Sequence, residues 1–94
     1  MNHDLTGRVV VVTGGNSGIG FGMAEGCAKV GADIAVWSRR ADRNEEACEK
    51  LRKHGVRAAG FVCDVADEEQ VKAAAAGTVA ELGRIDSCVA SAGA

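Results

Sequence analysis

The apolar residues of this chain follow two rhythms. Val9-Val10-Val11-Val12 is an unbroken β-branched run without polar alternation, the pattern of a strand buried on both faces of a parallel sheet. Further strands are predicted over residues 32–37, 56–63 and 85–89, each bounded by glycine or charged residues. Between them the spacing turns helical. Ile19, Met23, Cys27 and Val30 fall on one face of a helix over residues 18–30 that ends at Gly31. Asp42-Arg43-Asn44-Glu45 has the spacing of a capping box, with Ala47, Cys48 and Leu51 as the apolar face of a second helix ending at Gly55. Asp67 with Gln70 opens a third helix, whose buried face is predicted from Val71, Ala75, Thr78, Val79 and Leu82 before Gly83 stops it. Strand and helix therefore alternate, which predicts parallel strands joined by right-handed crossovers.

The turn after the first strand carries the chemistry. Thr13-Gly14-Gly15-Asn16-Ser17-Gly18-Ile19-Gly20 leads straight into the first helix, whose free N–H groups and dipole favour an anion beside the turn. Glycine permits positive φ and lets a pyrophosphate approach the backbone without meeting a Cβ. Ligands of open α/β sheets bind beyond the carboxyl ends of the strands, and two other features stand there. Ser38-Arg39-Arg40 follows the second strand, some twenty residues past the glycine turn, and Asp64-Val65 follows the third. Each has a plainer alternative: a solvated Arg pair bonded to Asp42 or Glu45, and an Asp that caps a turn.

Composition narrows the function. With 94 residues the chain makes one domain at most, and its core must come from Val, Ala, Leu and Ile, since 47% of residues are hydrophobic but only 3% aromatic. A formal charge of −2, with cations scattered among acids and no aromatic interleaving, argues against nucleic acid as a partner. No apolar stretch reaches transmembrane length and the first residues do not resemble a secretory signal, so no membrane is expected and the cytoplasm is the default. Cys27, Cys48, Cys63 and Cys88 are far apart and read as buried or half-buried free thiols, without a metal site. His3 falls in a tail and His54 at a helix end, where a cation suits the dipole; neither is given a catalytic role.

Thr13-Gly14-x-x-x-Gly18-x-Gly20 resembles the amino-terminal cofactor signature of the short-chain dehydrogenase/reductase family. The resemblance implies a three-layer, doubly wound, Rossmann-like sheet of spatial order 3-2-1-4, of which residues 1–94 form the amino-terminal half. It assigns cofactor contacts to Gly14, Asn16, Ser17, Gly18, Ile19 and Gly20 in the turn. Ser38, Arg39 and Arg40 would lie at the adenosine ribose, where NAD-preferring relatives usually carry an acid in place of Ser38. Without that acid, and with a guanidinium fork that matches phosphate geometry, NADP is expected over NAD. The basic residue that many NADP-binding relatives carry at the position of Ser17 is absent. Asp64 would accept the adenine amino group, with Val65 against the ring. Ala90, Ser91, Ala92 and Gly93 stand where the family typically has Asn-Asn-Ala-Gly beside the cofactor ribose and nicotinamide. Both asparagines are replaced, so only backbone contacts carry over.

The family's catalytic Ser, Tyr and Lys have no counterpart here, and the chain contains no Tyr. The resemblance thus implies the cofactor-binding part of an oxidoreductase that moves hydride between a nicotinamide cofactor and an alcohol or carbonyl substrate. It also implies a parent homo-oligomer, with substrate held by a carboxyl-terminal half. With one face covered by a single helix and an open fourth strand, the 94 residues are expected to lack turnover and self-sufficient folding. The alternative is a non-catalytic module that binds or senses a dinucleotide.

Overall fold

The computed structural model describes residues 5–16 and 18–91. Seven elements alternate along them: β1 (Val9–Thr13), α1 (Gly18–Lys29), β2 (Asp33–Ser38), α2 (Ala41–Arg52), β3 (Ala58–Val62), α3 (Glu68–Leu82) and β4 (Ser87–Ala90). All sheet pairings are parallel and the order is β3-β2-β1-β4, as the sequence implied. The strands differ from the expected spans by one to two residues at their ends. Ser38 and Ala90 close β2 and β4, so two residues expected in loops are held by ladders.

β1 is central and every one of its residues is buried. Its alternate side chains feed two separate cores. Val10 and Val12 pack with Ile34 and Val36 against Ala24 and Ala28 of α1 and Cys48 and Leu51 of α2. Val9 and Val11 join Ala35, Trp37 and Ala59 on the opposite face, against Ala74 and Leu82 of α3. Two helices thus cover one face and one covers the other, giving three layers. Trp37 inserts its ring under α3, where its Nε1 donates to the Thr78 hydroxyl at 3.0 Å; that hydroxyl in turn donates to Ala74 O at 2.8 Å. No helix among the described residues is long and apolar enough to cross a membrane.

The helix faces correct the sequence reading. In α1 the buried residues are Gly20, Ala24 and Ala28, while Ile19 is 81% exposed. The helix lies so close to the sheet that only small residues fit between them, and the larger Ile19 turns outward. α3 buries Thr78 and Leu82, as expected, together with Ala74, and leaves Val79 exposed. Gly77 illustrates the closeness: a Cβ there would lie 2.9 Å from the Phe61 ring. Cys88 is exposed on β4 rather than buried, because β4 lies at the sheet edge.

Two helix starts also differ in kind. Asp67 caps α3 as expected, accepting from the N–H groups of Glu69 and Gln70; Gln70 reaches back, its Nε2 donating to Asp67 Oδ2 at 3.1 Å, while its Oε1 accepts from Asp64 N at 2.9 Å. α2 has no side-chain cap: Arg40 occupies the cap position and Asp42 sits inside the first turn. There Asp42 still faces the positive end of the dipole, and backbone bonding at Arg43 holds its carboxyl below the usual range. His54 lies past the end of α2, its Nε2 3.2 Å from Glu25 Oε2.

Asp86 anchors β4 to the centre. Its carboxylate accepts the Val9 N–H at 2.8 Å, its own N–H donates to Val9 O at 2.9 Å, and Arg84 donates to its other oxygen at 2.7 Å. The Val9 bond, followed by Arg84, lowers the Asp86 carboxyl below its ordinary value. A carboxyl depressed on folding contributes stability above its unfolded pKa of about 4, and that stability fades as pH falls through the lower folded value. Asp86→Asn is therefore expected to lower the melting temperature at pH 7 and to flatten its decline below about pH 4. An acid limb identical in variant and parent, followed by circular dichroism, counts against this role.

Candidate functional site

The carboxyl ends of β1, β2 and β3 meet at an open pocket of about 260 Å³ walled by Gly14, Trp37, Ser38, Arg39, Cys63, Asp64 and Val65. The sheet order puts them together: β1 lies beside β2, β2 beside β3, and each strand ends at the same level. Five residues assigned from sequence in three separate segments, Gly14, Ser38, Arg39, Asp64 and Val65, thus share one wall. Trp37 and Cys63 are additions, carried there because they flank those segments. Burial, with Asp64 and Asp67 nearby, pushes the Cys63 thiol up, so it stays protonated at neutral pH and is no nucleophile.

The glycine turn begins with Gly14 at φ 72°, a conformation that L side chains rarely adopt, and its N–H donates to Trp37 O at 2.8 Å. Gly20 passes directly over Gly14. A Cβ on Gly20 would collide with the Gly14 carbonyl and lie 2.5 Å from Ser91 Oγ. The first turn of α1 therefore sits on the loop itself, with its open N–H groups at the mouth of the loop. Gly18, at φ 55°, starts the helix, and Ile19 beside it is exposed. Ser17 lies outside the described residues, as do Ala92 and Gly93 of the last loop.

Ala90 and Ser91 stand at the end of β4 beside this turn. Ala90 pairs with Thr13, and Ser91 Oγ donates to Thr13 O at 2.6 Å. Where the family pattern would have an asparagine, Ser91 ties the end of β4 to β1 and lies against Gly20.

The charged groups divide clearly. Arg40 Nε lies 3.6 Å from Asp42 Oδ1 with both side chains in solvent, which fulfils the plainer alternative for this residue. Arg39 has no ion-pair partner among the described residues and borders the pocket. Asp64 does cap a turn, with Oδ1 accepting from Ala66 N at 2.9 Å, yet it remains half-buried in the pocket wall. Capping uses one carboxylate oxygen and leaves the other available. No acid stands at the end of β2, so the pocket has a guanidinium at its β2 side and a carboxylate at its β3 side. Among the described residues no group of His, Cys, Asp and Glu is placed to hold a metal ion.

The sequence matches the short chain dehydrogenase family over residues 8–94. This chain belongs to the short-chain dehydrogenase family. Among solved structures, the L-sorbose reductase of Gluconobacter frateurii complexed with NADPH and L-sorbose superposes with a TM-score of 0.92 at 41% identity, covering 100% of this chain and 36% of that one. An NAD+-bound xylitol dehydrogenase aligns with a TM-score of 0.86 at 34% identity, over 90% of this chain and 33% of that one. A curated relative, the probable NADP-dependent mannitol dehydrogenase of Yarrowia lipolytica, is 37% identical over 89 residues, 95% of this chain and 32% of that protein. The short-chain dehydrogenase chain described here spans about a third of the length of these relatives.

Asn44 and Asp86 were not singled out from the sequence. Asn44 read as part of a capping box, but it is buried and bonded to both Asn16 and Ser38. Asp86 bonds a residue 77 positions away. Neither relation leaves a local pattern.

Proposed function

We propose that this chain is the NADP(H)-binding first half of a Rossmann-type domain, in an oxidoreductase that moves hydride between the cofactor and an alcohol or carbonyl compound. The observation that carries the cofactor preference is Arg39 at the pocket rim, without an ion-pair partner among the described residues and with no acid at the end of β2. A 2′-phosphate there meets a guanidinium and escapes the repulsion a carboxylate would exert. The two similar structures were solved with different cofactors, NADPH in one and NAD+ in the other, so family membership alone supports only a nicotinamide dinucleotide.

The residues fit the whole ligand. The bare backbone of Gly14 and Gly20 forms a cradle that a Cβ would fill, suited to a pyrophosphate. Asp64 can accept the adenine amino group through its uncapped oxygen, with exposed Val65 against the ring. Asn16, Gly18 and Ile19 border the cradle, with Ala90 and Ser91 beside it at the end of β4. The nicotinamide supplies the hydride; this chain binds and orients the dinucleotide. No residue of this chain is assigned the accompanying proton transfer. Four free cysteines suit a reducing, cytoplasmic setting.

Calorimetric titration with NADP+ and NAD+ tests the reading without any need for turnover. NADP+ is expected to bind at least about tenfold more tightly. Equal affinities, or preference for NAD+, would remove the NADP assignment, and absence of binding by either to a chain that melts cooperatively would remove the dinucleotide site.

A further inference from the structure

Behind the pocket wall lies a closed set of hydrogen bonds centred on a residue that does not line the pocket. Asn44 is in the first turn of α2 and only 2% exposed. Its Oδ1 accepts from Ser38 Oγ at 2.6 Å and from Asn16 Nδ2 at 3.1 Å. Its Nδ2 donates to Ser38 O at 3.3 Å and to Phe61 O at 3.2 Å. One amide thus joins the glycine turn, the end of β2 and the end of β3. Gly60 lets α2 come close enough for this, since a Cβ there would lie 2.8 Å from Asn44 Cβ.

The same bonds exhaust the Ser38 hydroxyl. A hydroxyl has one proton to give and two lone pairs. Ser38 gives its proton to Asn44, and it accepts from Asn16 Nδ2 and from Arg40 N at 3.2 Å. No donor remains for a phosphate. Its carbonyl is also held, by Asn44 Nδ2 and by the Cys63 N–H at 2.9 Å. The peptide groups on both sides of Arg39 are therefore tethered, while its side chain has no ion-pair partner among the described residues.

We infer that Asn44 is a positioning residue for recognition of the 2′-phosphate: it holds Ser38 and the Arg39 backbone in place, so that Arg39, and not the Ser38 hydroxyl, meets the phosphate. The inference rests on the proposed NADP(H) preference. A side chain that must aim a long guanidinium gains selectivity when its backbone is fixed in advance.

The test is a set of titrations with NADPH and NADH, each variant being checked by thermal melting. Asn44→Ala is expected to lower the NADPH:NADH affinity ratio at least about threefold, although it removes no group from the pocket wall. Ser38→Ala, a milder change at a half-exposed position, cuts the same link from the other side and is expected to lower the ratio as well. In an Arg39→Ala background neither substitution should change the ratio further. A lowered melting temperature with an unchanged ratio in Ser38→Ala, and in Asn44→Ala where it folds, would reduce the network to a structural role and overturn the inference. If Ser38→Ala lowers the ratio equally with Arg39 absent, the hydroxyl is itself a phosphate ligand and the inference also fails. An Arg39→Ala ratio equal to the parent's removes the NADP reading itself, a result distinguishable from either of these.

Discussion

Gly20→Val is expected to abolish dinucleotide binding, with an affinity loss of at least about a hundredfold. A Cβ at this position collides with the Gly14 carbonyl, which is backbone and cannot swing aside as the end of a flexible side chain could. Gly14 is itself fixed, by its positive φ and by its N–H bond to Trp37 O. On the other side the Cβ meets Ser91 Oγ, which is occupied with Thr13 O. Valine adds two further carbons to the clash. Overpacking of this kind costs about 1–3 kcal/mol, occasionally more, and the structure can relieve it only by moving the turn that forms the pyrophosphate cradle. Gly22→Ala is the control: it lies in the same helix, a Cβ there has open space, and alanine is the better helix former by about 1 kcal/mol. Calorimetry should find parental affinity in Gly22→Ala and none in Gly20→Val. Parental affinity in Gly20→Val would remove the phosphate-turn account.

Arg39→Ala is expected to weaken NADPH binding about ten- to a hundredfold while leaving NADH nearly unchanged. A hydrogen bond to a charged group contributes about 1.5–3 kcal/mol, which is that range of affinity. The whole of it is available to a ligand because Arg39 has no ion pair to break among the described residues. Arg40→Ala should have a smaller effect, since its guanidinium is already near Asp42. Arg39 is exposed, so the NADPH preference should shrink as ionic strength rises. An Arg39→Ala variant with the parent's NADPH:NADH ratio would show that the phosphate is recognised elsewhere.

The order of elements was legible in the sequence because β1, buried on both faces, shows as an unbroken β-branched run, and because glycine or aspartate punctuates each helix. Most site segments were legible for a related reason: a parallel sheet delivers the residue after each strand to one end. Helix faces were misread where hydrophobic size stood in for burial. Ile19 and Val79 are large and apolar yet exposed, while the faces against the sheet carry Gly20, Ala24 and Ala28 in α1 and Ala74, Thr78 and Leu82 in α3. The capping box at Asp42 was misread because the polar residue that matters, Asn44, bonds inward to Ser38 and Asn16 rather than to its own helix end. Asp86 and Ser91 hold β1 across nearly the full length of the chain, and no periodicity encodes that.

The carboxyl ends of β1, β2 and β3 are proposed to hold one NADP(H). Mapping backbone amide shifts of the isotope-labelled protein during NADP+ titration tests it most directly, because the molecule has a second surface hollow for comparison. That hollow is walled by Arg52, Val56, Arg57, Ala58, Ala59, Glu81 and Leu82, near the amino end of β3. Saturable shifts are expected at Gly14, Asn16, Gly18, Gly20, Arg39, Asp64 and Val65, with Arg57 and Glu81 unmoved. Shifts gathered at Arg52, Arg57 and Glu81, with the glycine turn silent, would contradict that proposal.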